Sequence, residues 1–523
     1  MTTKSIIKTS EYHDSVSLMS VARELSTLQG VVDVAVVMGT EANKALLAQA
    51  NLLTPEAVDA TPNDLVIVVN AAEGVVDAAL AKSEILLKPS HGGSEEKSQD
   101  RPRSIQSAVK KDPDTNVAVI SVAGRYAANE AWKALHHGLH VLLFSDNVSL
   151  EDEIALKKYA RDQGLLLMGS GAGTVILNGV ALGFASVIPS GPIGIVSAAG
   201  TGLQEVSTLI AKNGLGITQG IGTGGRDLKE DVGGIMMLEG LKALQADPNT
   251  KVIALVSKPP SKGVAEAIMD QVACGDKPTV IGFMGANPEE YAAVPHAIPA
   301  VTLEQTALLA VRAAGAKIGD PLQMIATRTG ELKSRAEKLR ARLRPNQKYL
   351  RGLYSGGTLC YEAQVIWRDI LTAPVFSNAP LRKTDQMPDS TKSSGNCTVD
   401  LGEEEFTVGR PHPMIDNDLR IRRLLQEARD RSVAVIIMDV VLGYGAHPDP
   451  ASELGPAIKK AIQIAEAGGH DLHIIVSVTG TEEDPQILSH QVKNLSAAGA
   501  IVCESNAMAA QLAGLVIAKE WRT

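Results

Sequence analysis

The sequence predicts an α/β protein built of several parallel-sheet domains, and three observations carry that expectation. Short β-branched runs such as NVAVISVAG, KVIALVS and VAVIIMDVV alternate with amphipathic helical stretches along almost the whole chain, the pattern of βαβ units. Apolar residues make up 45% and aromatics only 3%, so the core is chiefly Ala, Val, Leu and Ile, the filling of sheets buried on both faces. The length of 523 residues, at roughly 150 per domain, calls for three or four cores rather than one.

The elements follow in order. Residues 1–90 read as an N-terminal α/β domain: strand SIIKTS, a helix from about Asp14, strand VVDVAVVMG, a helix from about Glu41, then DLVIVVN and a further helix. The polar run from His91 to Ser104 reads as a linker or exposed loop. Residues 105–190 give NVAVISVAG, a helix from about Tyr126, HVLLFSD, a helix from about Leu150, and LLLMGSGAGTVIL, a small doubly wound unit. Residues 191–330 begin at GPIGIVSAAGTGLQEV and continue through KVIALVS and KPTVIGFMG. The basic stretch from Glu331 to Arg344 is expected to be a solvated connector helix. Residues 345–523 open with RGLYSGGTLCYEAQVIW and resume as VAVIIMDVVLGYG, LHIIVSVTG and AIVCESN. Between them, a polar stretch from about Ser377 to Glu405 cannot supply a core and is expected to be a surface excursion or disordered.

Composition excludes several functions. With 50 Lys+Arg against 59 Asp+Glu and a net charge of -9, the chain offers nucleic acid neither a phosphate-neutralising excess nor stacking platforms. Cys274, Cys360, Cys397 and Cys503 are widely spaced without a CxxC, which argues against disulfides and a thiolate metal site. No cluster has metal-ligand spacing; His136 and His137 are adjacent on a helix and point in different directions. The N-terminus lacks a signal-peptide core, and the most apolar stretch, Leu165 to Gly200, is broken by Gly and Pro. A cytoplasmic protein with no membrane contact is expected.

The most informative feature is an internal repeat of a strand, a Gly-rich turn and a helix start. It reads Ser197-Ala198-Ala199-Gly200-Thr201-Gly202-Leu203-Gln204-Glu205 in one segment and Ser355-Gly356-Gly357-Thr358-Leu359-Cys360-Tyr361-Glu362 in another. Both copies carry Gly-Thr with a glutamate five residues after the Gly. Glycines permit a tight turn, and the unpaired amides at a helix start, with about half a positive charge from the macrodipole, make a phosphate seat. Ser197, Gly200, Thr201, Ser355, Gly356, Gly357 and Thr358 are therefore the expected phosphate and substrate contacts. Two roles stay open for Glu205 and Glu362: moving a proton, or simply favouring the macrodipole of a first helical turn.

These residues carry a resemblance. NVAVISVAGRYAANEAWKALHHGLHVLLFSD, LLLMGSGAGTVI, GPIGIVSAAGTGLQEV and GIGTGG (Gly220 to Gly225) resemble the α-subunit of succinyl-CoA synthetase. GLYSGGTLCYEA, VVLGYGAHPDPA and VSVTGTEEDP resemble the ligase domain of its β-subunit. Their fusion in this order, behind this N-terminal segment, resembles the FdrA family, the acyl-CoA-synthetase-like proteins linked to allantoin degradation and to an oxamate carbamoyltransferase. The resemblance implies Rossmann-like and flavodoxin-like parallel-sheet domains: a CoA-binding-like one at 105–190 and ligase-like ones at 191–330 and 345–523. It also implies that the two Gly-Thr turns face one site, as the corresponding helices face a phosphohistidine in the synthetases.

Three departures limit what the resemblance implies. The nucleotide-binding ATP-grasp domain has no counterpart between Gly315 and the last ligase-like domain. The CoA loop is reduced to Met38-Gly39-Thr40-Glu41-Ala42-Asn43, so CoA binding is doubtful and no cofactor is required. His296 falls at the phosphohistidine position, but Val-Pro-His-Ala-Ile-Pro replaces the glycines that let that histidine swing. His296 is the third candidate proton carrier, with an ordinary loop residue as the other reading. His412, His447 and Asp449, in Pro-rich loops, are read as a possible substrate rim or as exposed loop residues. The implied activity is carbamoyl transfer between oxalurate or oxamate and phosphate, within a hetero-oligomer of carbamoyltransferase subunits. The alternative is an NDP-forming acyl-CoA synthetase with a separate nucleotide-binding partner. A third is a non-enzymatic sensing or scaffold subunit.

Overall fold

The computed structural model describes residues 2–87, apart from scattered positions between 12 and 51, and residues 102–407 and 411–518. The polar run at 91–101 lies outside the described residues, as do parts of the helices expected after Asp14 and Glu41. The chain forms two compact units: residues 1–101 with 402–416, and residues 102–401 with 417–523.

In the first unit, β1 (Thr2–Lys8), β2 (Val31–Met38) and β3 (Leu65–Ala71) form a sheet in the order β1-β3-β2. Both pairings are antiparallel, Thr2 opposite Ala71 and Met38 opposite Leu65. This corrects the parallel sheet expected for residues 1–90. A continuous apolar run marks a strand buried on both faces, and it does not set strand direction. β3 shows this: Leu65, Ile67, Val69 and Ala71 enter one cluster with helix α1 (Val76–Leu87), while Val66 and Val68 enter another.

The second unit holds three sheets. The smallest, β4 (Val117–Ile120), β5 (His140–Leu143) and β6 (Leu167–Gly169), is parallel and joined by α2 (Gly124–His136) and α3 (Leu150–Asp162). Next is a seven-stranded sheet in the order β13-β12-β11-β9-β10-β7-β8. Its strands are β7 (Thr174–Leu177), β8 (Val180–Gly183), β9 (Ser190–Ser197), β10 (Ile217–Gly222), β11 (Val252–Ser257), β12 (Thr279–Phe283) and β13 (Ala297–Pro299). β9 to β13 are parallel; β7 and β8 add an antiparallel hairpin whose turn, Asn178-Gly179, places both residues at positive φ as a type I′ turn requires. The helices are α4 (Gly200–Lys212), α5 (Ile235–Ala246), α6 (Lys262–Cys274) and α7 (Leu303–Ala313).

The third sheet is six-stranded and wholly parallel, in the order β15-β16-β14-β17-β18-β19. It comprises β14 (Tyr349–Tyr354), β15 (Val375–Ser377), β16 (Asn396–Asp400), β17 (Val433–Val441), β18 (His473–Thr479) and β19 (Ile501–Cys503). Before it runs α8 (Pro321–Arg340), and it is flanked by α9 (Gly357–Ile370), α10 (Pro450–Ala467), α11 (Leu488–Ala497) and α12 (Asn506–Ile517). β16 corrects the end of the stretch read as an excursion: residues 378–395 are a largely exposed or half-buried connection, but Asn396-Cys397-Thr398-Val399-Asp400 is buried throughout and pairs on both sides. Its polar side chains are hydrogen-bonded inside the sheet, as when Asn396 Oδ1 accepts the Leu350 N–H at 3.2 Å, so burial did not need an apolar run.

α8 is a connector that also packs. Leu332 and Ala336 are buried, and the Arg340 guanidinium bonds the carbonyls of Leu515 and Val516 at the negative end of α12. α9 is fixed against α12 by Trp367, fully buried, whose Nε1–H donates to the Ala510 carbonyl at 2.7 Å. The helix that follows β14, near the centre of its sheet, is thereby held in place.

Candidate functional site

β9 and β14 each end in a Gly-rich turn that opens a helix. Ala199 and Gly356 are the N-cap residues of α4 and α9, and neither supplies a side-chain cap. Elsewhere in the unit Ser149, Thr302, Asp320 and Ser505 cap their helices through side-chain oxygens. The first backbone bonds of the two helices are Leu203 N–H to Ala199 and Cys360 N–H to Gly356. The N–H groups of Gly200, Thr201 and Gly202, and of Gly357, Thr358 and Leu359, are left without acceptors among the described residues.

The two turns touch. A Cβ placed on Gly356 would stand 2.8 Å from Thr201 Cγ2, and one on Gly202 would stand 3.1 Å from Thr358 Cγ2. A side chain at Gly356 would force the helix starts apart, and one at Gly202 would press on Thr358. Gly200, Thr201, Gly357 and Thr358 are thus brought together, with two macrodipoles converging on one region.

The other expected contacts are engaged elsewhere. Ser197 donates its hydroxyl to the Ala199 carbonyl at 2.7 Å and accepts the Ala199 N–H at 3.1 Å, closing its own turn. Asp439 of β17 does the same work in the second copy, accepting Ser355 N–H at 2.7 Å, Ser355 Oγ–H at 2.9 Å and Gly356 N–H at 2.8 Å. Ser197, Ser355 and Gly356 shape the turns and do not offer free donors to a ligand.

Glu205 and Glu362 lie too far along their helices to reach the seats. Glu205 accepts the N–H of Asn506, the first residue of α12, at 2.9 Å, and a bond from the Thr479 hydroxyl. Glu362 accepts the N–H of Leu303, the first residue of α7, at 2.6 Å, and the Asn506 side-chain amide at 2.8 Å. Each glutamate serves the start of another helix, a variant of the macrodipole role. Burial pushes the Glu362 carboxyl up to about 8, with the neighbouring Glu205 and Glu304 charges adding to the rise.

His296 is removed from the site. It precedes Ala297, which pairs with Thr279; Thr279 pairs with Ile253, and Ile253 with Gly194. Three strand spacings separate β13 from β9, roughly 14 Å, and His296 stands at the start of the parallel strands, about 13 Å short of the end where Gly200 emerges. The structure does not bring His296 to the two turns at which it was expected to carry a proton or phosphate.

His447 is also no rim residue: it is buried, its Nδ1 accepts the Asp449 N–H at 3.0 Å, and its Nε2 lies 3.2 Å from Glu453 Oε1. His412 belongs to the first unit, where its Nδ1 accepts the Met414 N–H at 3.3 Å.

Sequence reasoning missed Lys258. It follows β11, the strand paired with β9, and its Nζ lies 5.2 Å from the centre of the Tyr361 ring on α9. It reaches from one half of the site toward the other. The signal was its place after an apolar strand, shared by many surface lysines.

The chain is 43% identical over 531 residues to YahF of Escherichia coli K12, an uncharacterized protein, and the match covers 99% of each chain. The chain belongs to the FdrA family. Within it, the CoA-ligase model matches residues 353–516 and the CoA binding domain model residues 190–285, the latter on the segment read above as ligase-like. The model of the AllF heavy metal-associated domain matches residues 1–103. That segment holds no cysteine, and its histidines are His13 and His91 alone, so it lacks the thiolates of a cysteine-based metal site.

The α-subunit of succinate–CoA ligase from Methanothermobacter thermautotrophicus is 26% identical over 175 residues, covering 32% of this chain and 57% of that one. Among solved structures, the dinucleotide-forming acetyl-coenzyme A synthetase 1 of Ca. Korarchaeum cryptofilum covers 78% of this chain and 84% of its own at 15% identity, with a TM-score of 0.29. The FdrA-family chain therefore combines an AllF-type N-terminal segment with CoA-ligase segments of enzyme families.

Proposed function

We propose that the chain is the acyl-phosphate subunit of a carbamoyltransferase, exchanging a carbamoyl group between oxalurate or oxamate and phosphate in allantoin degradation. The observation that carries this reading is the contact between two uncapped helix starts, whose unpaired N–H groups converge without a histidine between them. Converging amides suit a phosphate and the oxyanion that forms beside it, and each such donor contributes a factor of about 10² to 10³ in rate. The AllF-type segment supports the same pathway.

In the phosphorolytic direction a phosphate oxygen attacks the ureido carbonyl carbon of oxalurate, and the C–N bond to the oxamate nitrogen breaks. Hydrogen phosphate loses its proton as it attacks, and the departing amide nitrogen gains one. The balance closes with no protein proton carrier, consistent with Glu205, Glu362 and His296 being engaged or distant. Thr201 and Thr358, whose hydroxyls bond no described residue, add donors at the rim, and Lys258 supplies positive charge. Other carbamoyltransferase subunits would complete the particle.

A second reading has its own support. The CoA-ligase and CoA binding domain matches favour an NDP-forming acyl-CoA ligase that works with a separate nucleotide-binding partner. The two are separated by assay: the chain and its co-purifying partners are incubated with carbamoyl phosphate and oxamate, then with ATP, CoA and succinate. Phosphate release dependent on oxamate supports carbamoyl transfer. ADP formation dependent on CoA supports the ligase.

A further inference from the structure

We infer, resting on the acyl–phosphate reading, that the two helix starts take different groups: Gly200 to Gly202 hold the anion, and Gly357 to Leu359 hold a neutral carboxamide whose N–H is received by Asp400. The sequence repeat suggests two equal phosphate seats. The surroundings of the turns are not equal.

At the first turn the backbone amides go to uncharged acceptors, and the charged groups beside it are Lys258, just after β11, and Lys157, which bonds the Thr223 carbonyl at 3.0 Å and is paired with Asp227. The Ala198 N–H goes to the Val256 carbonyl at 3.1 Å and the Ala199 N–H to the Ser197 hydroxyl. Thr174 Oγ1 lies 3.5 Å from the Cβ position of Gly200. Thr223 donates its N–H to the Ser197 carbonyl at 2.8 Å, is fully buried, and has a hydroxyl with no hydrogen-bond partner. Free amides and hydroxyls beside one turn make a set of donors for an anion.

At the second turn the equivalent amides, those of Ser355 and Gly356, go to the Asp439 carboxylate. Asp439 is balanced by the buried Arg420, 3.2 Å away. A second carboxylate, that of Asp400 at the end of β16, brings Oδ2 to 2.5 Å from the Cβ position of Gly357, the first residue of α9. A carboxylate at the mouth of a helix start disfavours a phosphate there and accepts an N–H. Next to it, the amides of Gly357 to Leu359 donate. An acceptor beside donors is the complement of a carboxamide, which presents N–H and C=O side by side. The contact between Thr201 and Gly356 adds a further restriction, since phosphates at both starts would lie within one unscreened site.

The test uses the full chain and inorganic phosphate. Equilibrium dialysis against radiolabelled phosphate is expected to give one phosphate per chain. Crystals soaked in arsenate are expected to show its anomalous peak within hydrogen-bond distance of the Gly200 to Gly202 amides. Asp400→Asn, which removes a nearby charge, is expected to tighten phosphate binding about tenfold. Two phosphates per chain, a peak at Gly357 to Leu359, or binding unchanged or weakened in Asp400→Asn would each overturn the assignment while leaving the acyl–phosphate reading in place. A chain that binds no phosphate removes both. The arsenate position in the unsubstituted chain decides the matter even where the variant does not fold.

Discussion

Thr201 packs its methyl group against Gly356 so closely that a Cβ at Gly356 would stand 2.8 Å away, inside the contact distance of real side chains. The φ of Gly356 is -110°, which any residue adopts, so the requirement for glycine is steric and comes from the facing helix. Gly356→Ala should therefore push α4 and α9 apart. We expect a stability loss of about 1–3 kcal/mol by chemical denaturation, together with a larger loss of activity than stability alone accounts for. Unchanged activity in a folded Gly356→Ala protein would separate the helix contact from function.

Glu362 gives the fold a pH dependence of defined sign. Its carboxyl sits near 8 in the folded chain, chiefly through burial, against an ordinary value of 4.5. Between those values the folded state holds a proton that the unfolded state has lost, so stability falls as pH rises from about 5 to about 8 and levels off above. Glu362→Gln cannot ionise and should flatten that slope, removing up to a few kcal/mol of pH dependence. Denaturation midpoints at pH 5, 6.5 and 8 for both proteins check this; parallel curves would contradict it.

Lys157 is fully buried, with Nζ 2.8 Å from Glu153 Oε1, 2.8 Å from Asp227 Oδ1 and 3.0 Å from the Thr223 carbonyl. Asp227 also accepts the N–H groups of Met236 and Met237 at the start of α5. Lys157→Met leaves buried carboxylates without their cation and should cost about 3–5 kcal/mol in urea denaturation. A loss below about 1 kcal/mol would show that the neighbouring Arg226, 2.7 Å from Glu153 Oε2, compensates for it.

Lys258 should act on phosphate rather than on the fold. It is partly exposed and its described contact is the Tyr361 ring, so Lys258→Ala is expected to leave the melting temperature within about 2 °C. Its KM for phosphate or carbamoyl phosphate should rise about tenfold with kcat little changed, as loss of uniform binding predicts. An unchanged KM would take Lys258 out of the site.

Much of this was legible in the sequence because parallel sheets leave a strong local record. β11, β17 and β18 are buried end to end and read as largely apolar, β-branched runs, and the Gly-Thr repeat marked both helix starts. What was not legible depended on partners distant in the chain. Nothing near Glu362 reveals that its acceptor role is toward Leu303, fifty-nine positions away, or that Asp439 would take the amides of Ser355 and Gly356. β16 was missed because its burial rests on hydrogen bonds rather than apolar content. The N-terminal sheet was given the wrong strand direction because β3 is apolar on both faces in either arrangement.

The most direct test of the account compares two substitutions in the oxamate-dependent release of phosphate from carbamoyl phosphate. Thr201→Glu places a carboxylate at the meeting point of α4 and α9 and is expected to lower the rate by a factor of at least about 10² to 10³, whereas His296→Ala, distant along and across the sheet, should keep most of the activity. The reverse order, with stoichiometric phosphate found on His296 from a radiolabelled donor, would contradict direct transfer at the paired helix starts.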